Sequence, residues 1–195
     1  MEYLVFSVMV LSMAGFVYFY LKSVQPAQME KDTGKGAYSK CAKFRYVAYI
    51  FTLMYLVALL GYRFFPLFSN IPLFFSSSWL YLLIPALLLA IPASILKSKA
   101  SVAAGKSFAP NKSTPMYKGI YETIRHPQAV GDILYYISMG FFLNSPFLLL
   151  FNLLWIPIYI YLSYKEEKDL LLRYGERYKE YIKHTGFMIP KKKAI

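Results

Sequence analysis

Long apolar runs alternate with polar stretches along the chain. Tyr3 to Leu21 carries no charge over 19 residues, Tyr46 to Tyr62 over 17, Phe64 to Leu96 over 33 and Ile133 to Tyr164 over 32. A helix rises about 1.5 Å per residue, so roughly 20 residues cross the ~30 Å hydrocarbon core of a bilayer. Such runs recurring within 195 residues exclude a soluble core and predict an all-α integral membrane protein. Five transmembrane helices are expected, at about Tyr3–Leu21, Phe44–Phe65, Trp79–Leu96, from near Pro127, and Pro146–Tyr164. The fourth must start early. Its uncharged part, Ile133 to Leu143, is only 11 residues, too short to span unless Pro127 opens the helix, a first-turn position that proline favours. Asp132 then lies more than a turn inside the segment.

The connections follow from turn-forming residues. Residues 22–43 hold Pro26, Gly34 and Gly36 and predict a loop. Pro66 to Ser78 predicts an outer connection lying at the interface. Pro85 and Pro92 fall inside the third helix, where each removes a backbone donor and bends the chain. Residues 97–127 form the longest polar connection, and a loop of that length is usually functional or disordered. Asn144-Ser145-Pro146 reads as a tight turn, so the last two helices form an antiparallel hairpin. In the tail, Leu170, Tyr174, Tyr178 and Tyr181 are spaced four, four and three apart with charges between them. That spacing predicts one amphipathic interfacial helix over Lys165 to Gly186.

Charge sets the orientation. The net charge is +12, but 21 of the 22 Lys and Arg residues fall in residues 22–45, 97–127 and 165–195. This alternation is the positive-inside pattern, not a nucleic-acid stripe. It predicts the N-terminus outside, the C-terminus cytoplasmic and any site formed by the inner loops at the cytoplasmic face. The first segment carries Glu2 in place of a basic leader and no small-residue cleavage pattern, so it is expected to be retained. One cysteine, Cys41, excludes an internal disulfide, and two distant histidines make no zinc set.

Chemistry has few places to be in such a chain. Gly119 to Gly131, GIYETIRHPQAVG, joins a Tyr, a carboxylate and an Arg-His-Pro triplet to the start of a helix. Glu166-Glu167 stands at the end of the last apolar run, and the predicted hairpin returns both clusters to one face. Arg125 can fork a carboxylate or phosphate, and His126 can donate or accept a proton. Glu166 and Glu167, adjacent on a helix, point about 100° apart. An intramembrane carboxylate such as Asp132 is costly and marks function by default. A carboxylate, an imidazole and aromatic rings suit a polar, cationic ligand.

The pattern Gly119-x-Tyr121-x-x-x-Arg125-His126-Pro127-x-x-x-Gly131, followed by Glu166-Glu167-x-x-Leu170, Tyr174-Gly175-x-x-Tyr178-x-x-Tyr181 and Pro190, resembles the isoprenylcysteine carboxyl methyltransferase family and its phospholipid N-methyltransferase relatives. The resemblance covers about Lys112 to Pro190. It implies a methyltransferase that uses S-adenosyl-L-methionine without a Rossmann domain. It further implies that His126, Pro127, Gln128 and Ala129 line the cofactor, with Tyr121, Glu166 and Glu167 as further contacts. The loop Ser113, Thr114, Pro115, Met116 and Tyr117 would cover the adenosine. Arg125 and Glu167 are the candidate catalytic residues, with Arg125 orienting either a substrate carboxylate or the cofactor's own, and Asp132, from its place inside the segment, is a candidate to meet the substrate. The family usually has an aromatic residue where this chain has Ala129, so that wall must be filled otherwise.

Two regions follow, working as one structural unit: a three-helix membrane region with a cytoplasmic loop over residues 1–111, and the motif region over 112–195. The expected acceptor is the carboxyl of a prenylated cysteine in the bilayer, with the amine of a phospholipid as the alternative. A carboxylate acceptor needs no base, whereas an amine needs one, for which Glu167, Asp132 and His126 are candidates. Membrane reductases that use NADPH share a similar C-terminal region, and a non-enzymatic scaffold would bind no cofactor.

Overall fold

The computed structural model describes residues 1–68, 80–105 and 118–191. Within them the chain forms eight α-helices: α1 (Glu2–Ser23), α2 (Pro26–Thr33), α3 (Ala37–Tyr62), α4 (Leu80–Ala104), α5 (Pro127–Phe142), α6 (Pro146–Asn152), α7 (Trp155–Tyr174) and α8 (Glu176–His184). Four helices are long and apolar enough to cross a membrane: α1, α3, α4 and the α6–α7 run Pro146–Tyr174. Helix α5 has 16 residues, about 24 Å of rise, and falls short of that length. The described residues contain no strand; one isolated parallel bridge pairs Ile124 with Gly186.

The membrane face is written on α4. Leu80, Ile84, Leu87, Leu88, Ile91 and Ile95 are all exposed, an apolar stripe at steps of four, three, one, three and four of the kind that suits lipid. The opposite faces bury an aromatic core. Trp155 is fully buried and stacks on Tyr136 with ring centroids 4.5 Å apart. Phe16 at 5.3 Å and Tyr55 at 5.2 Å make edge contacts with it, and Tyr159 packs at 5.6 Å. Helices α1, α3, α5 and α7 thereby share one core, since aromatic pairs prefer offset-stacked and edge-on arrangements at these separations.

The hairpin turn forms as its residues dictate. Asn144 takes φ of 51°, Ser145 caps α6 by accepting from Leu148 N at 3.2 Å, and Pro146 opens the helix. Gly140 lets the two helices touch, because a Cβ there would stand 2.5 Å from Leu149 Cα.

Several expected boundaries shift. Residues 22–43 are not a loop: α2 and the first turns of α3 occupy most of them. Helix α2 starts on Pro26, and Gln28 N donates to Asp169 Oδ1 at 2.8 Å. Its first turn is therefore capped from α7, a partner invisible to local propensity. Helix α4 runs eight residues beyond Leu96 to Ala104, because no Gly or Pro intervenes before Gly105. Trp79, Ser69 to Ser78 and the residues 106–117 lie outside the described residues.

The last two predicted helices also divide differently. The run from Pro146 breaks after Asn152 and resumes at Trp155. Pro157 then sits in the first turn of α7, where its missing N–H forfeits no helical bond. The expected single interfacial helix over Lys165–Gly186 is corrected: α7 continues through Lys165 to Tyr174, and α8 is separate. Charge alone does not stop a helix; Gly175, at φ of 56°, does.

Candidate functional site

The polar residues before α5 are held by the chain's end. Arg125 N donates to Gly186 O at 2.8 Å, His126 N to Phe187 O at 3.1 Å, and Gly186 N to Thr123 O at 3.2 Å. The Tyr181 hydroxyl adds a bond to Tyr121 O at 2.6 Å. These bonds fix the backbone of the Arg-His-Pro triplet without regular secondary structure. Pro127 then starts α5.

The side chains meet α7. Arg125 Nε donates to Glu167 Oε1 at 2.5 Å, and its Nη1 donates to Thr185 O at 2.5 Å and Ile182 O at 3.5 Å. His126 Nε2 lies 3.1 Å from the same Glu167 oxygen. His126 Nδ1 stands 3.7 Å from Glu166 Oε2. Phe187 closes the cluster, its ring 4.9 Å from the imidazole and 5.5 Å from the guanidinium. Arg125 and Glu167 side chains are only 9% and 13% exposed, so each satisfies the other's charge where water supplies little.

Beside this cluster lies a cavity with about 530 Å³ of empty space, part of it open to solvent. Tyr121, Arg125, His126, Pro127, Gln128 and Ala129 form one wall. Tyr159, Leu162, Ser163, Glu166 and Leu170 form the α7 wall, at steps of three, one, three and four that keep one helix face turned inward. Tyr20 of α1 and Arg45 of α3 complete it. The two glutamates therefore divide their work: Glu166 lines the cavity, while Glu167 holds Arg125 and His126.

Burial pushes the Tyr121 phenol well above its ordinary value, and the nearby Glu166 carboxylate adds to the effect. Tyr121 thus stays protonated at any physiological pH.

Most residues expected at the site converge here. Tyr121, Arg125, His126, Pro127, Gln128, Ala129 and Glu166 line the cavity, and Glu167 stands behind them. Asp132 does not line it. Its carboxylate is paired with Lys97 of α4 and accepts from the Tyr159 hydroxyl at 3.2 Å, so it reaches the cavity only through Tyr159. Ser113, Thr114, Pro115, Met116 and Tyr117 lie outside the described residues. Aromatic surface in the cavity comes from Tyr20, Tyr121 and Tyr159.

Sequence reasoning missed Tyr20, Arg45, Tyr159, Ser163 and Phe187. For Arg45 a signal existed: Ala37, Cys41, Arg45 and Ala48 follow at four, four and three, and all four are buried. Counting Arg45 only among the inner-face charges hid that stripe. Among the described residues, no group of three or more His, Cys, Asp or Glu converges as a metal set.

The family model described as phospholipid methyltransferase matches residues 80–177, half of the chain, from the start of α4 into α8. The match takes in both polar clusters and the hairpin between them. Neither the curated proteins nor the solved structures gave a match.

Proposed function

The chain belongs to the phospholipid methyltransferase family, and from that premise we propose that it is a membrane-embedded methyltransferase that draws its methyl group from S-adenosyl-L-methionine. Its acceptor, on this reading, is the α-carboxyl of a C-terminal S-prenylated cysteine. The observation that carries the reading is the meeting of Arg125, His126, Glu166 and Glu167 at the rim of one cavity. The lining suits the donor's chemistry. Glu166 offers a carboxylate to a sulfonium, Tyr20, Tyr121 and Tyr159 offer ring faces to a cation or an adenine, and Gln128 and Ser163 offer polar contacts.

When bound, the donor supplies an electrophilic methyl; the acceptor oxygen bonds to that carbon while the carbon–sulfur pair stays on a neutral thioether. What the protein contributes is alignment and exclusion of water. Glu167 fixes Arg125 and His126, which keeps Pro127 to Ala129 in place against the cavity. A carboxylate acceptor is already ionised, so no residue need remove a proton.

A second reading, transfer to the amine of a phospholipid, is favoured by the description of the matching family. Here a proton must leave, and Glu166 or His126, both lining the cavity, is placed to take it. On either reading residues 1–111 and 112–195 work as one unit. Five crossings, with α5 as the fifth, put the N-terminus outside and the site at the cytoplasmic face, in keeping with the segregated basic residues.

The test is methyl transfer from labelled S-adenosylmethionine by the detergent-purified protein, offered N-acetyl-S-farnesylcysteine or phosphatidylethanolamine micelles. Base-labile ester on the first supports the main reading. Labelled amine on the second supports the alternative, and no transfer to either with a well-folded protein sinks both.

A further inference from the structure

Arg45 sits nine residues into α3, a helix apolar enough to cross a membrane, outside both sequence clusters and outside the family match. It is 9% exposed, and it lines the cavity. Among the described residues no carboxylate forms an ion pair with it. Its Nε donates to Ser23 Oγ at 2.8 Å, its guanidinium lies 4.3 Å from the centre of the Tyr20 ring, and Tyr49 lies beside it. Ser23 in turn spends its own proton on Tyr20 O at 2.6 Å, which leaves a lone pair aimed at Arg45. These contacts fix the plane of the guanidinium, and the Glu166 carboxylate lies within electrostatic reach without pairing directly with it.

A buried guanidinium without a direct ion pair carries a desolvation penalty, and here the carboxylate within electrostatic reach, Glu166, does not touch it. The other arginine of the cavity is already committed, to Glu167 and to two carbonyls. Glu166 faces the cavity, and its closest partner is His126. The cavity therefore has a carboxylate, aromatic rings and an oriented cation that no carboxylate contacts directly.

We propose that Arg45 is an anion-binding residue of this cavity, forking a carboxylate or phosphate oxygen pair of the molecule bound there. The inference rests on the methyl-donor reading of the cavity. Two sources supply that chemistry: the amino-acid carboxylate of the methyl donor, and the anionic group of the acceptor. An arginine suits either, since its planar fork matches two oxygens at once, as a lysine does not.

The experiment is calorimetric binding to the full-length chain in detergent, for the wild type, Arg45→Gln and Arg45→Lys. Matched probes differ only in their anion: S-adenosylhomocysteine against its decarboxylated counterpart, and N-acetyl-S-farnesylcysteine against its methyl ester. If the donor's carboxylate is the ligand, Arg45→Gln weakens S-adenosylhomocysteine roughly tenfold or more and leaves the decarboxylated compound unchanged. If the acceptor's anion is the ligand, the same loss falls on farnesylcysteine and spares its ester. Arg45→Lys, which keeps the charge and loses the fork, gives an intermediate loss in whichever pair responds. Arg45→Gln that binds both anionic probes as the wild type does overturns the proposal. Should that variant fail to fold, a wild type that prefers neither anionic member over its partner overturns it equally. Failure of the wild type to bind either adenosyl compound instead sinks the methyl-donor reading, and the acceptor pair then decides Arg45 by itself.

Discussion

Arg125 and Glu167, 42 residues apart, meet with Nε 2.5 Å from Oε1, and the same carboxylate oxygen lies 3.1 Å from His126 Nε2. One carboxylate on α7 thus holds two consecutive side chains that precede α5, and both helices of the hairpin are tied at their polar ends. Glu167→Gln removes the counter-charge of a mostly buried guanidinium, at a cost of about 2–4 kcal/mol. Thermal unfolding in detergent is expected to show this loss, with the double change Arg125→Gln/Glu167→Gln closer to the wild type than Glu167→Gln alone. Additive losses would mean that the pair is not coupled.

Glu166 is expected to behave differently from its neighbour. Its side chain is 33% exposed and only 3.7 Å contact joins it to His126. Glu166→Gln should therefore leave the unfolding midpoint nearly unchanged while weakening S-adenosylmethionine by roughly tenfold, the value of one charge-assisted contact. Equal melting losses for the two glutamates would contradict the division of labour between them.

Asp169 caps a helix that lies 141 residues away in sequence, accepting from Gln28 N at 2.8 Å. Asp169→Ala removes that cap, at a cost of about 1 kcal/mol. Hydrogen exchange should speed up over Pro26–Thr33 before anywhere else, and uniform change along the chain would count against a local role.

Asn152 ties the break between α6 and α7 to the core. Its amide accepts from the Tyr55 hydroxyl at 2.6 Å and donates to Tyr136 O at 2.7 Å. Asn152→Leu leaves both partners without their bond in a dry interior, so a loss of about 1–3 kcal/mol is expected. Gly140→Leu should cost a comparable amount, about 1–3 kcal/mol, by forcing α5 away from the Leu149 backbone. Melting of both variants beside the wild type checks the two together.

What the sequence determined by itself was the solvent of each segment and the identity of the polar clusters. Charge-free runs of helix-spanning length leave little choice but a bilayer, because backbone groups in hydrocarbon must bond within the helix. Pro127 and the Asn144-Ser145-Pro146 turn marked helix starts correctly, since those effects are local. The Arg-His-Pro and Glu-Glu clusters were legible for the same reason: few polar residues stand so close to apolar runs. Tertiary structure decided what distance in sequence conceals. Asp169 on α7 supplies the cap of α2, so a stretch that reads as loop folds as a helix. Pairing of Thr123 to His126 with Gly186 and Phe187 fixes the triplet through the chain's end. Arg45 changes from an inner-face charge at the start of a helix into part of a cavity wall because α3 begins earlier than its apolar run and turns that residue inward. Each of these depends on a partner from another element, and no local pattern of hydrophobic and polar residues specifies which partner arrives.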